Sequence, residues 1–206
     1  MPPVSVIVPA HNESINIIES VLSVLQLRYP IFEVVVVNDG SSDDTLAILL
    51  ERFRMRRTER GFDSHIPCKP ILAVYESAEF PNLVAVDKRN GGKGDAQNAG
   101  INVSRYPLFC TIDGDSLLEE DALLRVARPF HDYPGQIVAT GGTIRIANGS
   151  LVRAGRITDA RLAHALLPRI QAVEYLRAFL FGRLGWSSFG GLLLISGAFG
   201  IFDKQV

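Results

Sequence analysis

Two short runs of almost uninterrupted apolar residues, Val4–Pro9 (VSVIVP) and Glu33–Asn38 (EVVVVN), constrain this chain more than any other feature. A strand with one wet face alternates apolar and polar residues. A run rich in Val that does not alternate belongs to a strand covered on both faces, as in a parallel sheet. Parallel strands need a crossover, and Ser14–Leu27 supplies one: Ile15, Ile18, Leu22 and Leu25 recur at helical spacing behind the capping-type Asn12. Residues 4–38 therefore read as one βαβ unit.

The pattern continues. After the turn Asp39-Gly40-Ser41-Ser42, a second helix is expected from about Asp43, with Leu46, Leu49, Leu50 and Phe53 on its apolar stripe. It is expected to run into Arg52, Arg54, Arg56, Arg57 and Arg60, cations well placed against the negative end of a helix dipole. Further strands are expected at Ile71–Tyr75, Leu83–Asp87, Leu108–Ile112 and Ile137–Ile146, and helices at Asp95–Val103, Glu119–Phe130 and Pro168–Arg183. The expected fold class is α/β: an open, mostly parallel sheet with helices on both faces.

At 206 residues the chain is one large domain or a domain with an appendage, and 47% hydrophobic with 21% charged residues excludes disorder and coiled coil. Residues 1–140 carry 19 acidic and 13 basic side chains, and residues 141–206 carry 3 and 8. A basic final third suits anionic lipid or an acidic ligand, or is simply a solvated helix face. Without zinc-finger spacing or interleaved aromatics, nucleic acid is not an expected partner. Cys68 and Cys110 have no CxxC spacing, and Met1-Pro2-Pro3 leads straight into a strand, which favours a reducing, cytosolic setting. The uncharged run Leu184–Phe202 has the length of a membrane span, but its five glycines and three serines favour interfacial or buried-loop structure.

In open α/β sheets ligands bind beyond the C-terminal strand ends. Four polar clusters fall there: His11-Asn12-Glu13, Asp39, Arg89 to Lys93, and Asp113-Gly114-Asp115. Two carboxylates flanking a glycine can turn toward one point, and hard oxygen donors suit Mg²⁺ or Mn²⁺, whose shell is completed by water and phosphate. Asn90-Gly91-Gly92-Lys93-Gly94 sets a lysine among glycines just before a helix, an arrangement that favours an anion, unless it is only a hairpin tip. It is not a Walker A loop, and the first turn, Pro9-Ala10-His11-Asn12-Glu13-Ser14, lacks the glycines of a dinucleotide fold, so NAD is not expected.

Together VSVIVPAHNE, VVVVNDGSSDDT, NGGKGDAQNAGI and the Asp113-Gly114-Asp115 block resemble family 2 glycosyltransferases of the GT-A fold over about residues 4–130. Gln171-x-x-Glu174-Tyr175 through Ser196-Gly197-Ala198-Phe199 is similar to their membrane-associated, processive branch, which includes poly-N-acetylglucosamine, hyaluronan and cellulose synthases. The resemblance implies a nucleotide-diphosphate-sugar donor, a UDP-sugar such as UDP-N-acetylglucosamine, and inverting, metal-assisted transfer to a growing polysaccharide. It implies that Ala10, His11 and Glu13 line the nucleoside pocket, that Pro9 also belongs to the nucleotide-sugar site, that Asp39 contacts the base, and that Lys93 lies near the base or diphosphate. Asp113 and Gly114 would contact the donor, Asp113 and Asp115 would hold Mg²⁺ or Mn²⁺, and Ser196 and Gly197 would meet the acceptor. Residues 1–135 would be the donor-binding part, and 136–206 the start of an acceptor side.

The family's general base, an aspartate downstream of the S-G-A segment, has no counterpart before Val206. The chain is therefore expected to be the donor-binding part of a larger protein at the cytoplasmic face of the cell membrane, attached through segments beyond Val206. Transfer of a single sugar to a lipid-linked acceptor, or donor binding without transfer, are the competing expectations.

Overall fold

A computed structural model of the chain describes residues 1–179, 185, 195 and 198–205. In chain order its elements are β1 (Val4–Ala10), α1 (Ile17–Leu25), β2 (Phe32–Asp39), α2 (Thr45–Arg52), β3 (Met55–Thr58), β4 (Ile71–Ser77), β5 (Leu83–Lys88), α3 (Lys93–Val103) and β6 (Leu108–Ile112). They are followed by α4 (Ala122–Asp132), β7 (Ala139–Gly141), β8 (Leu151–Arg153), β9 (Arg156–Asp159), α5 (Leu166–Leu176) and β10 (Phe199–Asp203). Eight strands make one sheet in the order β3-β4-β5-β2-β1-β6-β10-β7, and β8 and β9 pair separately.

The expected βαβ unit is present: β1 and β2 run parallel from Val4 opposite Phe32 to Ala10 opposite Asn38. β5 joins β2 and β6 joins β1, both parallel, so the four central strands end at one rim. Strand periodicity sorts their side chains into two layers. Val4, Val6, Val8, Val34 and Val36 pack with Ile17, Val21, Val24, Leu49, Leu123 and Ala127 from α1, α2 and α4. Ile7, Val35, Val37, Val84 and Val86 face the other way, onto Ala96, Ala99 and Val103 of α3. Each fully buried Val or Leu stabilises this sandwich by about 1.5–3 kcal/mol relative to exposure, which is why both faces of the central strands are apolar.

The margins depart from the sequence reading. β3, β4, β7 and β10 all pair antiparallel, giving a mixed sheet with a parallel centre. The second helix stops at Arg52, the only one of the five arginines in its last turn. Arg54 takes φ 47°, and the chain enters β3, with Phe53 and Met55 buried on either side of the bend. Arg56 and Arg57 are thus exposed residues of an edge strand, where charge discourages pairing with another chain, and not helix-end cations. α1 starts at Ile17, three residues later than expected. Asn12 does not cap it but stands at φ 57° and accepts the Ser42 N–H at 2.9 Å. Only Ala139–Gly141 of the expected strand at residues 137–146 pairs.

The region after residue 135 contributes β7 and β10 to the same sheet as the first region. Most of Leu184–Phe202, with Ser196 and Gly197, lies outside the described residues. Its end is strand and not loop: Phe199–Phe202 belongs to β10, with Phe199 and Ile201 buried between β6 and β7. Among the described residues no helix is long and apolar enough to cross a membrane.

Candidate functional site

The parallel centre delivers the four polar clusters to one rim: His11 to Glu13 after β1, Asp39 at the end of β2, Arg89 to Lys93 after β5, and Asp113 to Asp115 after β6. They interlock through backbone as much as through side chains. Asp39, with only 4% of its side chain exposed, takes the Lys88 ammonium at 2.5 Å and the N–H groups of Gly91 and Gly92 at 3.0 and 2.7 Å. The carboxylate expected to contact a base is thus engaged by three donors of the protein, and a ligand reaching it would have to replace one of them. Its carbonyl oxygen accepts from His11 Nδ1 at 2.9 Å and Asn90 Nδ2 at 2.9 Å. Gly40, at φ 60°, makes this nesting feasible, since a Cβ there would lie 2.6 Å from the Asn90 nitrogen.

On the other side of the rim, Lys93 reaches from the first position of α3 to pair with the carboxylate of Asp113. Gly114 is buried against β1, whereas Asp115 is exposed. Glu13 stands close enough to feel both aspartates. Its carboxyl is raised above the ordinary range, first by burial and then by the charges of Asp115, Asp43 and Asp113, against a hydrogen bond with Asn16. The Glu13 N–H is held by Thr45 Oγ1 at 2.8 Å, which fixes the first loop to α2.

No group of three or more His, Cys, Asp or Glu side chains is arranged to hold a metal ion among the described residues. Mg²⁺ and Mn²⁺ do not require one: they bind through one or two carboxylates and fill their shells with water and phosphate oxygens. Asp113 and Asp115, with Glu13 nearby, fit that demand in donor type and number.

Ala10, His11, Glu13, Asp39, Lys93 and the Asp113–Asp115 turn therefore converge, with the Pro9 carbonyl oxygen against Gly114. Asn90, from the expected Asn90–Gly94 turn, helps hold them there, together with two residues given no role in the sequence reading, Lys88 and Asp95. The one sequence sign of Lys88 was a charged residue at the core-facing register of β5, in step with Val84 and Val86. Beside the rim a cavity of about 610 Å³ opens between β2, β5 and α2, lined by Asn38, Gly40, Leu46, Leu50, Asp87 and Arg89. The Asn38 amide donates to Asp87 at 2.8 Å.

The profile of the family described as Glycosyl transferase family 2 matches residues 5–66 and 67–182. Among curated proteins, the poly-beta-1,6-N-acetyl-D-glucosamine synthase of Staphylococcus epidermidis is 27% identical over 202 residues, 98% of this chain and 40% of that protein. The synthase of the same name from Staphylococcus aureus strain COL is 28% identical over 205 residues, again covering 98% and 40%. The chain thus spans about 40% of the length of these relatives. Two solved structures share the fold. Mannosyltransferase PcManGT from Pyrobaculum calidifontis, in complex with GDP-Man and Mn²⁺, superposes with a TM-score of 0.62 at 17% identity, covering 99% of this chain and 45% of that one. S. aureus TarS 1-349, in complex with UDP-GlcNAc, gives 0.53 at 24% identity, covering 73% and 37%.

Proposed function

The chain belongs to glycosyl transferase family 2, and on that premise we propose that its rim binds a nucleotide-diphosphate sugar, a UDP-sugar such as UDP-N-acetylglucosamine, for transfer to a growing polysaccharide with inversion. The observation that carries this reading is the convergence of Lys93 on Asp113, beside Asp115 and Glu13, where β1, β6 and α3 meet. A cation and a set of hard oxygen donors at one point suit a diphosphate and its counter-ion. The names of the curated relatives and the nucleotide sugars in the related structures point the same way.

In this reading Pro9, Ala10, His11, Glu13 and Asp39 line the nucleoside pocket, and Lys93 meets the diphosphate. Asp113 and Asp115 would hold Mg²⁺ or Mn²⁺, which when bound neutralises charge that develops on the departing nucleoside diphosphate. Residues 1–135 form the donor side, and 136–206, with Ser196 and Gly197, begin the acceptor side. The acceptor is a polysaccharide, with single transfer to a lipid-linked acceptor as the alternative, and the site of action is the cytoplasmic face of a membrane.

Calorimetric titration of UDP and UDP-N-acetylglucosamine, with and without Mn²⁺, tests the reading. Binding should depend on the metal and vanish in Asp115→Ala. Equal binding with and without Mn²⁺ would remove the metal from the proposal, and no binding of either ligand would remove the donor.

A further inference from the structure

Lys88 has no surface open to solvent, and all three hydrogens of its ammonium are committed: to Asp39 at 2.5 Å, to Asp95 at 2.5 Å, and to the Arg89 carbonyl at 2.7 Å. Its two carboxylate partners come from different elements, the end of β2 and the first turn of α3. Between them lies the Asn90–Gly92 turn. Asp39 holds the Gly91 and Gly92 N–H groups, and Gly91 lies so close over Asp95 that a Cβ on it would stand 2.3 Å from a carboxylate oxygen. The Gly92 carbonyl accepts the Ala96 N–H at 3.0 Å and opens α3, whose first residue is Lys93. Asp95 also takes the Lys69 N–H at 2.9 Å.

We propose that Lys88 is a positioning residue for diphosphate capture: it holds Asp39 and Asp95 together beneath the Asn90–Gly92 turn and thereby sets where Lys93 stands opposite Asp113. The inference rests on the reading of the rim as a nucleotide-diphosphate site. Without the buried ammonium, two carboxylates would face each other under one turn in a poorly solvated place, and the turn would open to let water reach them. Lys93, carried by that turn, would lose its position. The nucleoside side of the rim, built on His11 and the end of β1, meets Lys88 at second hand, through Asp39 and Asn90, and would be disturbed less.

The experiment compares UDP with uridine, each in the presence of Mn²⁺, on the full chain and on Lys88→Met, Lys93→Ala and the double variant. Calorimetry follows UDP and chemical-shift changes follow uridine. Lys88→Met should weaken UDP binding at least about tenfold, the usual size of a lost supporting contact, and weaken uridine binding by clearly less. The double variant should lose no more than the larger single loss, because one residue acts through the other. Additive losses, unchanged UDP binding, or equal loss for UDP and uridine would overturn the inference. Circular dichroism checks folding. If Lys88→Met does not fold, Asp95→Asn, which removes one charge and keeps the shape, should show the same preference for losing UDP over uridine, and equal loss there would overturn the inference. Failure of the unsubstituted chain to bind UDP would overturn the donor reading itself, whereas binding that survives Lys88→Met would sink the role of Lys88 alone.

Discussion

A Cβ on Gly114 would stand 2.7 Å from the carbonyl oxygen of Pro9, well inside van der Waals contact. The backbone of the turn between the two aspartates therefore lies directly against the end of β1, and only glycine permits that approach. Gly114→Ala should push the Asp113–Asp115 turn off β1. The cost is that of overpacking, about 1–3 kcal/mol, read from a urea midpoint. Because the displaced residues are the carboxylates themselves, metal-dependent UDP binding should fall by more than the stability does, and retained binding would show that the turn can shift without moving the site.

Arg60 and Glu33 form a second buried charge pair, far from the rim at the start of β2, with Nη2 and Oε2 3.1 Å apart and both side chains less than a tenth exposed. Glu33 also accepts from the Ser5 hydroxyl at 2.7 Å and the Arg105 N–H at 2.5 Å, so its charge is fully solvated by protein. Arg60→Met would strand that carboxylate, and removing one partner of such a pair costs about 3–5 kcal/mol. Adding Glu33→Gln to Arg60→Met should recover much of the loss. Urea unfolding of the two variants checks this, and a double variant no better than the single would show that the pairing is not the source of the cost.

Why the sequence foretold some of this and not the rest follows from where each signal is written. Val4–Val8 and Val34–Val37 announced their strands because burial on two faces leaves few polar residues to interrupt the run, Ser5 alone in the first and none in the second. The carboxylates were legible because each lies at the end of such a strand or within three residues of it. β3 was not, since Arg56 and Arg57, an edge strand's exposed residues, read equally well as a helix end. β10 takes its place beside β6 through contacts between residues about ninety positions apart, such as Ile201 opposite Cys110, and no local pattern encodes these. Lys88 is the sharpest case: its meaning lies in Asp39 and Asp95, neither of which adjoins it in the chain.

Gly100 tests the packing of α3 on the opposite layer. A Cβ there would lie 2.4 Å from Ile7 Cγ2 and 3.2 Å from Val37 Cγ2, so the helix sits on β1 and β2 at glycine distance. Alanine is favoured over glycine inside a helix by up to about 1 kcal/mol. Overpacking a rigid β-branched pair costs about 1–3 kcal/mol and should win. Gly100→Ala is expected to destabilise, and adding Ile7→Val, which removes a methyl near the clash, should return part of the loss. A stabilised single variant, measured by urea unfolding, would mean that α3 can move away from the sheet at no cost.

Asp43 supplies a pH dependence whose sign can be fixed. Its Oδ1 accepts the Thr45 N–H at 3.0 Å and the Thr45 hydroxyl at 2.5 Å, and its Oδ2 accepts the Ser14 N–H at 3.2 Å. The Thr45 hydroxyl is the largest influence. With the Thr45 and Ser14 N–H groups it outweighs desolvation and lowers the carboxyl from 3.8 to about 2. A carboxyl depressed by folding stabilises the folded chain above its unfolded pKa, and that contribution is lost as pH falls through the folded value. The gap in melting temperature between the unsubstituted chain and Asp43→Ala should therefore be constant at neutral pH and close between 3.8 and about 2. Carboxyl chemical shifts should place the Asp43 midpoint in the same low range, and a midpoint near that of a free aspartate would show that the bonds tying the first rim loop to α2 do not hold in solution.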